Sequence, residues 1–452
     1  MRIIVAGCGK IGSAIIADLV SEGHDIVAID SVQAKLNNVT NRYDIMGVCG
    51  NIANFDILEE AEVSKAEIFI AVTGSDELNM VCCLLSRRMG AKHTIARIRN
   101  HEHNAKNLAF LRAQFELSMS FNPEYMVAQE MFNILKLPSA AKIEMFNRRN
   151  FEMVEVKLRS DSPIIGLSLK DLRRKTDANF LVCIVERKGK VIIPSGDFIL
   201  EEGDQIGITT SPSSIQKILK KFGITSKTAK NVMILGASTT AFYLARMLIN
   251  SSNDANIVEI DHDRCSKMAE LLPEAVVINS DGSNKEELRE AGLNNVDAFV
   301  SLTGLDEVNM LMAYYASTQD VRKVIAKVNR DELLAIADKL NIECTVSPAK
   351  VTSNVILRYV RALHASMDSN VETLYRLMGG AAEALEFEIK NDCVLNNKQI
   401  KNMSLKSGII ISGIIRQRKI IIPSGDDVIL PGDRVVIIAA GHRINKISDI
   451  VK

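Results

Sequence analysis

Apolar and polar positions at the start of the chain follow first the period of a strand and then that of a helix. Residues 3–6 are continuously apolar and lead into the glycine cluster 7–12, GCGKIG. A stretch with helical apolar periodicity follows, and a second apolar run, 26–29, ends at Asp30. This order predicts a strand, a helix and a second, parallel strand, which together make a βαβ unit.

The glycine cluster has the spacing of a dinucleotide-binding loop. In such a loop Gly7 allows a tight turn, Gly9 lets the backbone approach a pyrophosphate, and Gly12 lets the helix pack on the strand. The positions between these glycines are Cys8, Lys10 and Ile11. Asp30 follows at about the distance where a carboxylate accepts hydrogen bonds from ribose. We therefore predict a nucleotide site here; the alternative is the same βαβ unit with an empty site.

The pattern recurs in the second half of the chain. Residues 72–80 (VTGSDELNM) and 302–310 (LTGLDEVNM) share T-G-x-D-E-x-N-M. Residues 232–261 repeat the opening βαβ pattern, and IIPSGD occurs at both 192–197 and 421–426. These matches indicate a tandem duplication of a unit of about 225 residues.

Each repeated unit divides into two parts. The first part alternates strand-like runs with helical patterns, which favours a doubly wound parallel sheet. The second part begins with the alternating run 151–158 and continues with turn-rich strands and a short amphipathic helix, 212–222. A further helix, 443–451, is expected to close its repeat. We therefore predict an α/β protein with two Rossmann-like parallel-sheet domains, each followed by a small α+β domain.

The predicted domain boundaries follow the repeat. They are 1–120 for the first Rossmann-like domain, 121–138 for a linker helix, 139–224 for the first small domain, and 229–346, 347–366 and 367–452 for their repeats. Each linker helix connects a parallel-sheet domain to its small domain.

Composition and motifs exclude several classes of function. Lys plus Arg (55) balances Asp plus Glu (55), so no bulk charge favours nucleic acid. Eight cysteines without CxxC spacing indicate reduced thiols in a cytosolic protein, and Cys8 is either a redox-sensitive thiol or a tolerated small residue. Neither a catalytic histidine spacing nor a nucleophile elbow or Walker A loop occurs. We expect no enzyme, no catalytic residues and no metal site; a metal-binding pair, His101 and His103, is the weaker alternative.

Further candidate ligand residues follow the later strands of the first sheet. Thr73 and Gly74 end the fourth predicted strand, where open α/β sheets bind ligands. The alternative is an ordinary strand end, with Asp76 capping the next helix. Arg97 can fork onto a pyrophosphate or pair with a carboxylate. Asn51, after the third strand, either bonds an adenine edge or is a plain turn residue.

The second repeat departs from this pattern in its loop. Gly236 is kept, but Ser238 replaces Gly9 and Ala241 replaces Gly12. A Cβ at 238 hinders backbone approach to a pyrophosphate, although its hydroxyl can donate a hydrogen bond. A nucleotide site of altered preference and a decayed copy both stay open. The candidate residues are Gly236, Ala237, Ser238, Thr239, Thr240, Asp261, Thr303 and Gly304.

The doubled order of these motifs resembles the TrkA family, the cytosolic regulatory subunits of bacterial Trk potassium uptake systems. The motifs that carry the resemblance are the glycine-rich βαβ unit, TGxDExNM, IARIR, and the module with IIPSGD, each followed by its repeat. The two parts of each unit resemble the RCK N-terminal and C-terminal domains (regulator of K⁺ conductance). The similarity covers essentially the whole chain.

This resemblance implies a non-enzymatic regulator that binds NAD⁺ or NADH, or ATP and ADP. It places the pyrophosphate on residues 7–12, ribose on Asp30, the nicotinamide side beside Thr73 and Gly74, and a phosphate on Arg97. It also implies a homotetramer that is cytoplasmic, sits peripherally on a membrane potassium-channel subunit and gates potassium flux. An NAD-dependent oxidoreductase and a freestanding nucleotide sensor are the alternatives.

Overall fold

The computed structural model describes residues 1–100, 105–136, 141–146, 151–176, 179–224, 229–319, 321–340, 342, 344–368, 371–391, 393–417, 419–442, 444 and 446–451. The chain divides into two compact units. The parallel-sheet unit contains Met1–Phe132, called the first lobe, and Ala229–Leu357, called the second lobe. The antiparallel-sheet unit contains Asn133–Thr228, the first module, and Arg358–Lys452, the second module.

The first lobe alternates strands and helices. Its elements are β1 (Arg2–Ala6), α1 (Lys10–Ser21), β2 (Asp25–Asp30), α2 (Gln33–Tyr43), β3 (Met46–Cys49), α3 (Phe55–Glu60), β4 (Ile68–Ala71), α4 (Asp76–Met89), β5 (His93–Arg97), α5 (Ala105–Gln114), β6 (Met119–Phe121) and the start of α6 (Pro123–Leu135). The strands form one parallel sheet in the order β3-β2-β1-β4-β5-β6.

The central strands are buried on both faces because helices cover the sheet on both sides. Every residue of β4 is buried, and β1 is buried from Ile3 onwards. This burial explains why their sequences are continuously apolar and not alternating. The strand order reverses between β1 and β4, so the carboxyl ends of these two strands flank the crevice where such sheets bind ligands.

The second lobe repeats this arrangement. Its elements are β12 (Asn231–Leu235), α9 (Thr239–Asn250), β13 (Asp254–Glu259), α10 (His262–Leu271), β14 (Val276–Asn279), α11 (Lys285–Glu290), β15 (Ala298–Ser301), α12 (Asp306–Thr318), β16 (Lys323–Lys327), α13 (Leu334–Lys339), β17 (Cys344–Val346) and the start of α14 (Pro348–Asp368). The sheet order is β14-β13-β12-β15-β16-β17, again parallel.

The two modules are antiparallel sheets of five strands each. The first contains β7 (Ala141–Phe146), β8 (Phe151–Lys157), α7 (Leu169–Lys175), β9 (Phe180–Arg187), β10 (Lys190–Ile192), β11 (Gln205–Thr210) and α8 (Pro212–Lys221). The second contains β18 (Val371–Leu377), β19 (Ala382–Glu388), β20 (Ile409–Arg416), β21 (Lys419–Ile421) and β22 (Arg434–Ala440). The orders are β10-β9-β11-β8-β7 and β18-β19-β22-β20-β21.

The modules pack against each other within their unit. One buried apolar cluster contains residues of both, among them Ile184 and Ile438. Thr209 donates through Oγ1 to the carbonyl of Ser412 at 2.9 Å. Buried polar groups paired in this way fix the register of the two sheets without leaving an unsatisfied donor.

The predicted fold class is confirmed: two Rossmann-like parallel sheets alternate along the chain with two small antiparallel modules. One predicted element differs. In the described part of 443–451 the chain forms only a 3₁₀ helix, Ile447–Ile450, and not a closing α-helix. Ile447 and Ile450 are both buried, and their spacing of three matches the period of a 3₁₀ helix.

Candidate nucleotide-binding site

Two glycines of the GCGKIG motif, Gly7 in the loop after β1 and Gly12 in the first turn of α1, are required by the protein itself. Gly7 has φ +107°, and a Cβ there would lie 2.9 Å from the carbonyl group of Val72 in the neighbouring strand end. A Cβ on Gly12 would lie 1.7 Å from the carbonyl oxygen of Gly7. These glycines therefore give the tight turn and the close packing of helix on strand that the spacing predicted.

Gly9 has neither of these reasons to be glycine. It caps α1 with φ −71° and ψ −175°, a conformation open to any residue. Among the described residues no heavy atom lies within 4 Å of a Cβ built on it. This free space faces the N-terminus of a 12-residue helix, where unpaired N–H groups and the helix dipole favour an anion. The glycine thus keeps space open outside the protein, as close approach of a pyrophosphate requires.

Asp30, the last residue of β2, is hydrogen-bonded to this loop. Its Oδ2 accepts from the N–H of Cys8 at 2.7 Å, and its Oδ1 accepts from the N–H of Val32 at 2.8 Å. The residue is only 8% exposed. A carboxylate has about four acceptor sites, so Asp30 keeps the capacity to accept from ribose hydroxyls as well. The structure therefore gives Asp30 a structural task that the sequence did not indicate.

The side chains beside these glycines differ in accessibility. Lys10 is exposed in the first turn of α1, where it carries a positive charge, whereas Ile11 is half-buried. Cys8 is buried, and burial, followed by the charge of Asp30, raises the pKa of its thiol to about 12. A thiol with so high a pKa is unreactive at neutral pH, which favours the small-residue interpretation of Cys8 over the redox one.

A buried asparagine joins the ends of β4 and β5. Asn79 on α4 is fully buried, and its Oδ1 accepts from the N–H of Thr73 at 2.9 Å and from the Thr73 hydroxyl at 2.7 Å. Its Nδ2 donates to the carbonyl of Arg97 at 3.0 Å. Asn79 is a positioning residue that was not among the predicted site residues. The signal was present, since Asn79 is the asparagine of the repeated TGxDExNM motif.

Gly74 and Arg97 face the same crevice. As at Gly9, a Cβ on Gly74 would meet none of the described residues within 4 Å, and its φ lies outside the left-handed region. Arg97 donates through Nη2 to the Thr73 carbonyl. Its buried Nε has no hydrogen-bond partner in the described part of the chain. Burial, and then the nearby charge of Arg99, lower the pKa of Arg97, so the site holds a desolvated cation with a free donor.

The cap of α4 was predicted at the wrong residue. Ser75 caps the helix, with its Oγ accepting from the N–H of Leu78 at 3.1 Å. Asp76 is the first helical residue, and its Oδ2 accepts from the N–H groups of Arg99 at 2.6 Å and Asn100 at 2.9 Å. Serine takes the capping position because it directly precedes the helix, which frees the aspartate to hold the chain after β5.

Asn51 forms the turn that follows β3. Its Oδ1 accepts from the N–H of Ala53 at 3.0 Å, two residues on, as turn asparagines do. Its repeat, Asp281, accepts in the same way from the N–H of Ser283 at 3.0 Å. The side chain of Asn51 is exposed, so contact of its amide with an adenine stays a prediction.

In the second lobe Glu259, and not Asp261, takes the place of Asp30. Glu259 accepts from the N–H of Ala237 at 2.7 Å and from that of Asp261 at 3.0 Å, the same two bonds that Asp30 makes. Asp261 instead caps α10, where it accepts from the N–H of Arg264 at 2.9 Å. The predicted equivalence of Asp261 with Asp30 is therefore wrong. Counting from the loop glycines (236 − 7 = 229) leads from 30 to 259.

Ser238 fills the position that Gly9 leaves open. Its backbone is extended, φ −83° and ψ 166°, and it caps α9 with its Oγ accepting from the N–H of Ala241 at 3.3 Å. Gly236 keeps the left-handed φ of +100°. Thr239 is exposed in the first turn, while Thr240 is buried. The second loop thus keeps the left-handed first glycine and the extended N-cap of the first, with a side chain added at the N-cap.

The far side of the second crevice is preserved. Asn309 accepts from the N–H of Thr303 at 2.8 Å and donates to the carbonyl of Lys327 at 2.9 Å, as Asn79 does in the first lobe. A Cβ on Gly304 would have no described neighbour within 4 Å. Lys327 replaces Arg97 and donates to the carbonyl of Leu302 at 3.2 Å. Burial lowers the pKa of this lysine.

The described residues show neither a metal-binding cluster nor a membrane-spanning helix. No cluster of three or more histidine, cysteine, aspartate or glutamate side chains is placed to hold a metal within the described ranges. The alternative metal pair, His101 and His103, lies outside those ranges. Of the helices that the structure describes, none is both long and apolar enough to cross a membrane.

Comparison with family models matches both parts of each repeat. The TrkA-N domain model matches residues 3–114 and 232–348, and the TrkA-C domain model matches residues 153–223 and 384–452. The Trk system potassium uptake protein TrkA of Haemophilus influenzae is 30% identical over 443 residues, which are 97% of this chain and 95% of the relative. TrkA homolog 2 of Methanosarcina mazei is 28% identical over the whole of both chains.

Solved structures share the fold at lower identity. The RCK domain of the GsuK channel superposes with a TM-score of 0.64 at 16% identity, covering 97% of this chain and 92% of that one. The GsuK channel bound to NAD superposes with the same score and covers 77% of that chain. These relatives are named as potassium uptake proteins and channel domains, and not as enzymes.

Proposed function

Because this chain belongs to the TrkA family of Trk system potassium uptake proteins, we propose that it is the nucleotide-sensing regulatory subunit of a membrane potassium transporter. Gly9 carries the nucleotide part of the proposal, since neither its φ and ψ nor its packing requires glycine. The GsuK structures bound to NAD and to ADP support a dinucleotide or an adenine nucleotide as the ligand. The Trk names of the relatives support the potassium transporter as the partner.

The ligand is NAD⁺ or NADH, with ADP and ATP as the related alternatives. Its pyrophosphate lies on the N–H groups of residues 9–12, and its ribose bonds Asp30. The free Nε of Arg97 donates to a phosphate, and the nicotinamide side lies beside Thr73 and Gly74. Asn51 borders the adenine. Each of these groups lies at or just beyond the carboxyl end of a strand of the parallel sheet, the edge at which such sheets bind ligands.

Regulation requires only that the ligand bind two conformations with different affinity. A ligand shifts such an equilibrium by its differential affinity, and coupling between sites is typically about 1–3 kcal/mol. No catalytic residue is needed. Several copies of the chain, arranged as a homotetramer on the cytoplasmic face of the channel subunit, add their coupling energies. The oxidoreductase alternative has no such support, because the relatives are not named as enzymes.

A thermal-shift panel tests nucleotide binding. Wild-type protein is heated with NAD⁺, NADH, ATP and ADP, and at 100 times Kd the ligand should stabilise the fold by about 2.7 kcal/mol. The Gly9→Val variant should melt normally but show no ligand shift. If no nucleotide raises the melting temperature of the wild type, the nucleotide part of the proposal is wrong.

Co-purification tests the partner. The tagged chain, expressed in its native host, should retain a multi-span potassium-transporter subunit through detergent extraction. Gly9→Val should retain the same subunit, since the proposal places the loop at the ligand and not at the partner. Recovery of the chain without any multi-span transporter would favour the freestanding sensor.

A further inference from the structure

We infer that Ser238 is the residue that limits this chain to one bound dinucleotide, by filling in the second lobe the space that Gly9 leaves open in the first. The inference rests on the proposed nucleotide function of the first lobe. In the second lobe the Ser238 hydroxyl then occupies the place at the helix N-terminus that a phosphate oxygen of the ligand takes in the first lobe.

The two loops share the left-handed first glycine and the extended N-cap, and they differ in two side chains, Ser238 for Gly9 and Ala241 for Gly12. The first glycine is left-handed in both, with φ +107° at Gly7 and +100° at Gly236. The next N–H is held by a carboxylate at 2.7 Å in both, from Asp30 to Cys8 and from Glu259 to Ala237.

The helix cap is where the lobes diverge. Gly9 and Ser238 are both extended N-cap residues of 12-residue helices. Gly9 makes no side-chain cap and leaves the first-turn N–H groups to a ligand. The hydroxyl oxygen of Ser238 accepts from the N–H of Ala241 at 3.3 Å, so a group of the protein satisfies one of the helix donors. A phosphate at the second lobe must therefore displace both the Cβ–Oγ group and this hydrogen bond.

The charges beside the loops point the same way. Lys10 is exposed in the first turn of α1, whereas the corresponding residue of α9 is the neutral Thr239. Arg97 offers a fork of donors, with an Nε that no described residue accepts from, whereas Lys327 is a single ammonium. The first lobe thus favours an anion more strongly than the second, both by geometry and by charge.

Other parts of the second crevice are kept, which makes Ser238 the deciding residue. Glu259, Asn309 and Gly304 reproduce the contacts or the open space of Asp30, Asn79 and Gly74. Ala241, in place of Gly12, is fully buried, whereas Ser238 is half-buried at the helix end that a phosphate would approach. Removing the serine side chain should therefore restore a phosphate position, because the first glycine and the N-cap already have the conformations of the first lobe.

The test counts ligands per chain by isothermal titration calorimetry of the full chain, with NADH and, separately, with ADP. The wild type should bind one equivalent, Ser238→Gly two, and Gly9→Ser none. Gly9→Ser should stay folded, because serine is a better N-cap than glycine. Ser168→Gly is the matched control: it removes another serine cap, that of α7, and should leave one equivalent.

The outcomes separate this inference from the proposed function. Two equivalents in the wild type, or one in Gly9→Ser, would overturn the inference while leaving nucleotide binding intact. One equivalent in a folded Ser238→Gly would show that Ser238 is not the deciding residue. No binding of either probe to any variant would contradict the proposed function itself.

Discussion

At the scale of single residues, the three loop glycines have three different physical reasons. Gly7 is required by its left-handed φ, and Gly12 by the carbonyl of Gly7, which a Cβ would approach to 1.7 Å. Only Gly9 is spared both constraints within the described structure. The spacing of the motif predicted all three glycines, yet only the structure shows that the protein's own packing requires two of them and not Gly9.

This difference predicts that alanine at Gly12 mainly lowers stability, whereas alanine at Gly9 mainly weakens nucleotide binding. Gly12→Ala should destabilise the fold by about 1–3 kcal/mol, since a methyl group is forced into packed backbone. Gly9→Ala should cost less than about 1 kcal/mol, the usual effect of losing a good N-cap, while weakening nucleotide binding strongly. Urea denaturation gives the first quantity and calorimetry the second. Equal destabilisation by the two alanines would contradict the assignment.

Asp30 holds the loop through the N–H of Cys8 and, in the proposed site, also binds ribose, which gives a second prediction. Asp30→Asn replaces one carboxylate oxygen by an amide NH₂ that cannot accept from a backbone N–H, so the fold should lose about 1–3 kcal/mol. Nucleotide binding should weaken as well. Glu259→Gln is the matched control, because it breaks the same bonds in the second lobe and should leave nucleotide affinity unchanged. Equal loss of affinity in both variants would place the ligand elsewhere.

The choice between Asp261 and Glu259 shows a limit of sequence reasoning. Both are acidic and stand near the expected distance from the loop, so residue type alone favoured the aspartate. Register decides the matter, because the carboxylate must sit on the last residue of β13 to reach the N–H of Ala237. A strand boundary one or two residues off moves the role to the wrong side chain.

At the scale of elements, α4 and its repeat α12 hold the strand ends through one buried asparagine each. Asn79 accepts from Thr73 and donates to the carbonyl of Arg97, and so fixes the distance between β4 and β5 where the ligand site lies. The sequence predicted the motif, the helix and the strands. It did not predict this bond, because an asparagine within a helix is more often exposed than fully buried.

Removing this asparagine should loosen the sheet edge. Asn79→Leu leaves the Thr73 N–H and the Arg97 carbonyl without their partner, and each unsatisfied buried group costs about 1–3 kcal/mol. Urea denaturation should show a loss in that range or above. Asn37→Leu, at an exposed position of α2, should change stability by less than about 0.5 kcal/mol. A similar loss in both variants would refute the bridging role.

At the scale of the whole molecule, the duplication is not symmetric. Asn122 donates to the hydroxyl of Tyr243 at 3.2 Å, and the rings of Tyr125 and Tyr243 meet edge-on with centroids 5.4 Å apart. These contacts join the first lobe to the second within one unit. Asn122 directly precedes the proline that starts α6. The residue that precedes the proline of α14 in the repeat is Ser347, so the asparagine of this contact is not repeated.

The architecture of the two lobes and two modules followed from the sequence because a repeat doubles every signal. Strands, glycine loops and TGxDExNM each occur twice, so chance agreement of pattern is small. Contacts between lobes have no such signal. Asn122 and Tyr243 lie far apart in the chain, and neither periodicity nor spacing marks them as partners.

The central claim is that nucleotide at the Gly9 loop controls potassium flux through the partner. Its most direct test measures rubidium uptake into liposomes that contain the channel subunit and this chain, across a nucleotide titration. With the wild type, uptake should change with nucleotide concentration. With Gly9→Val it should be independent of nucleotide while the complex stays assembled. The same nucleotide dependence in both would contradict the account.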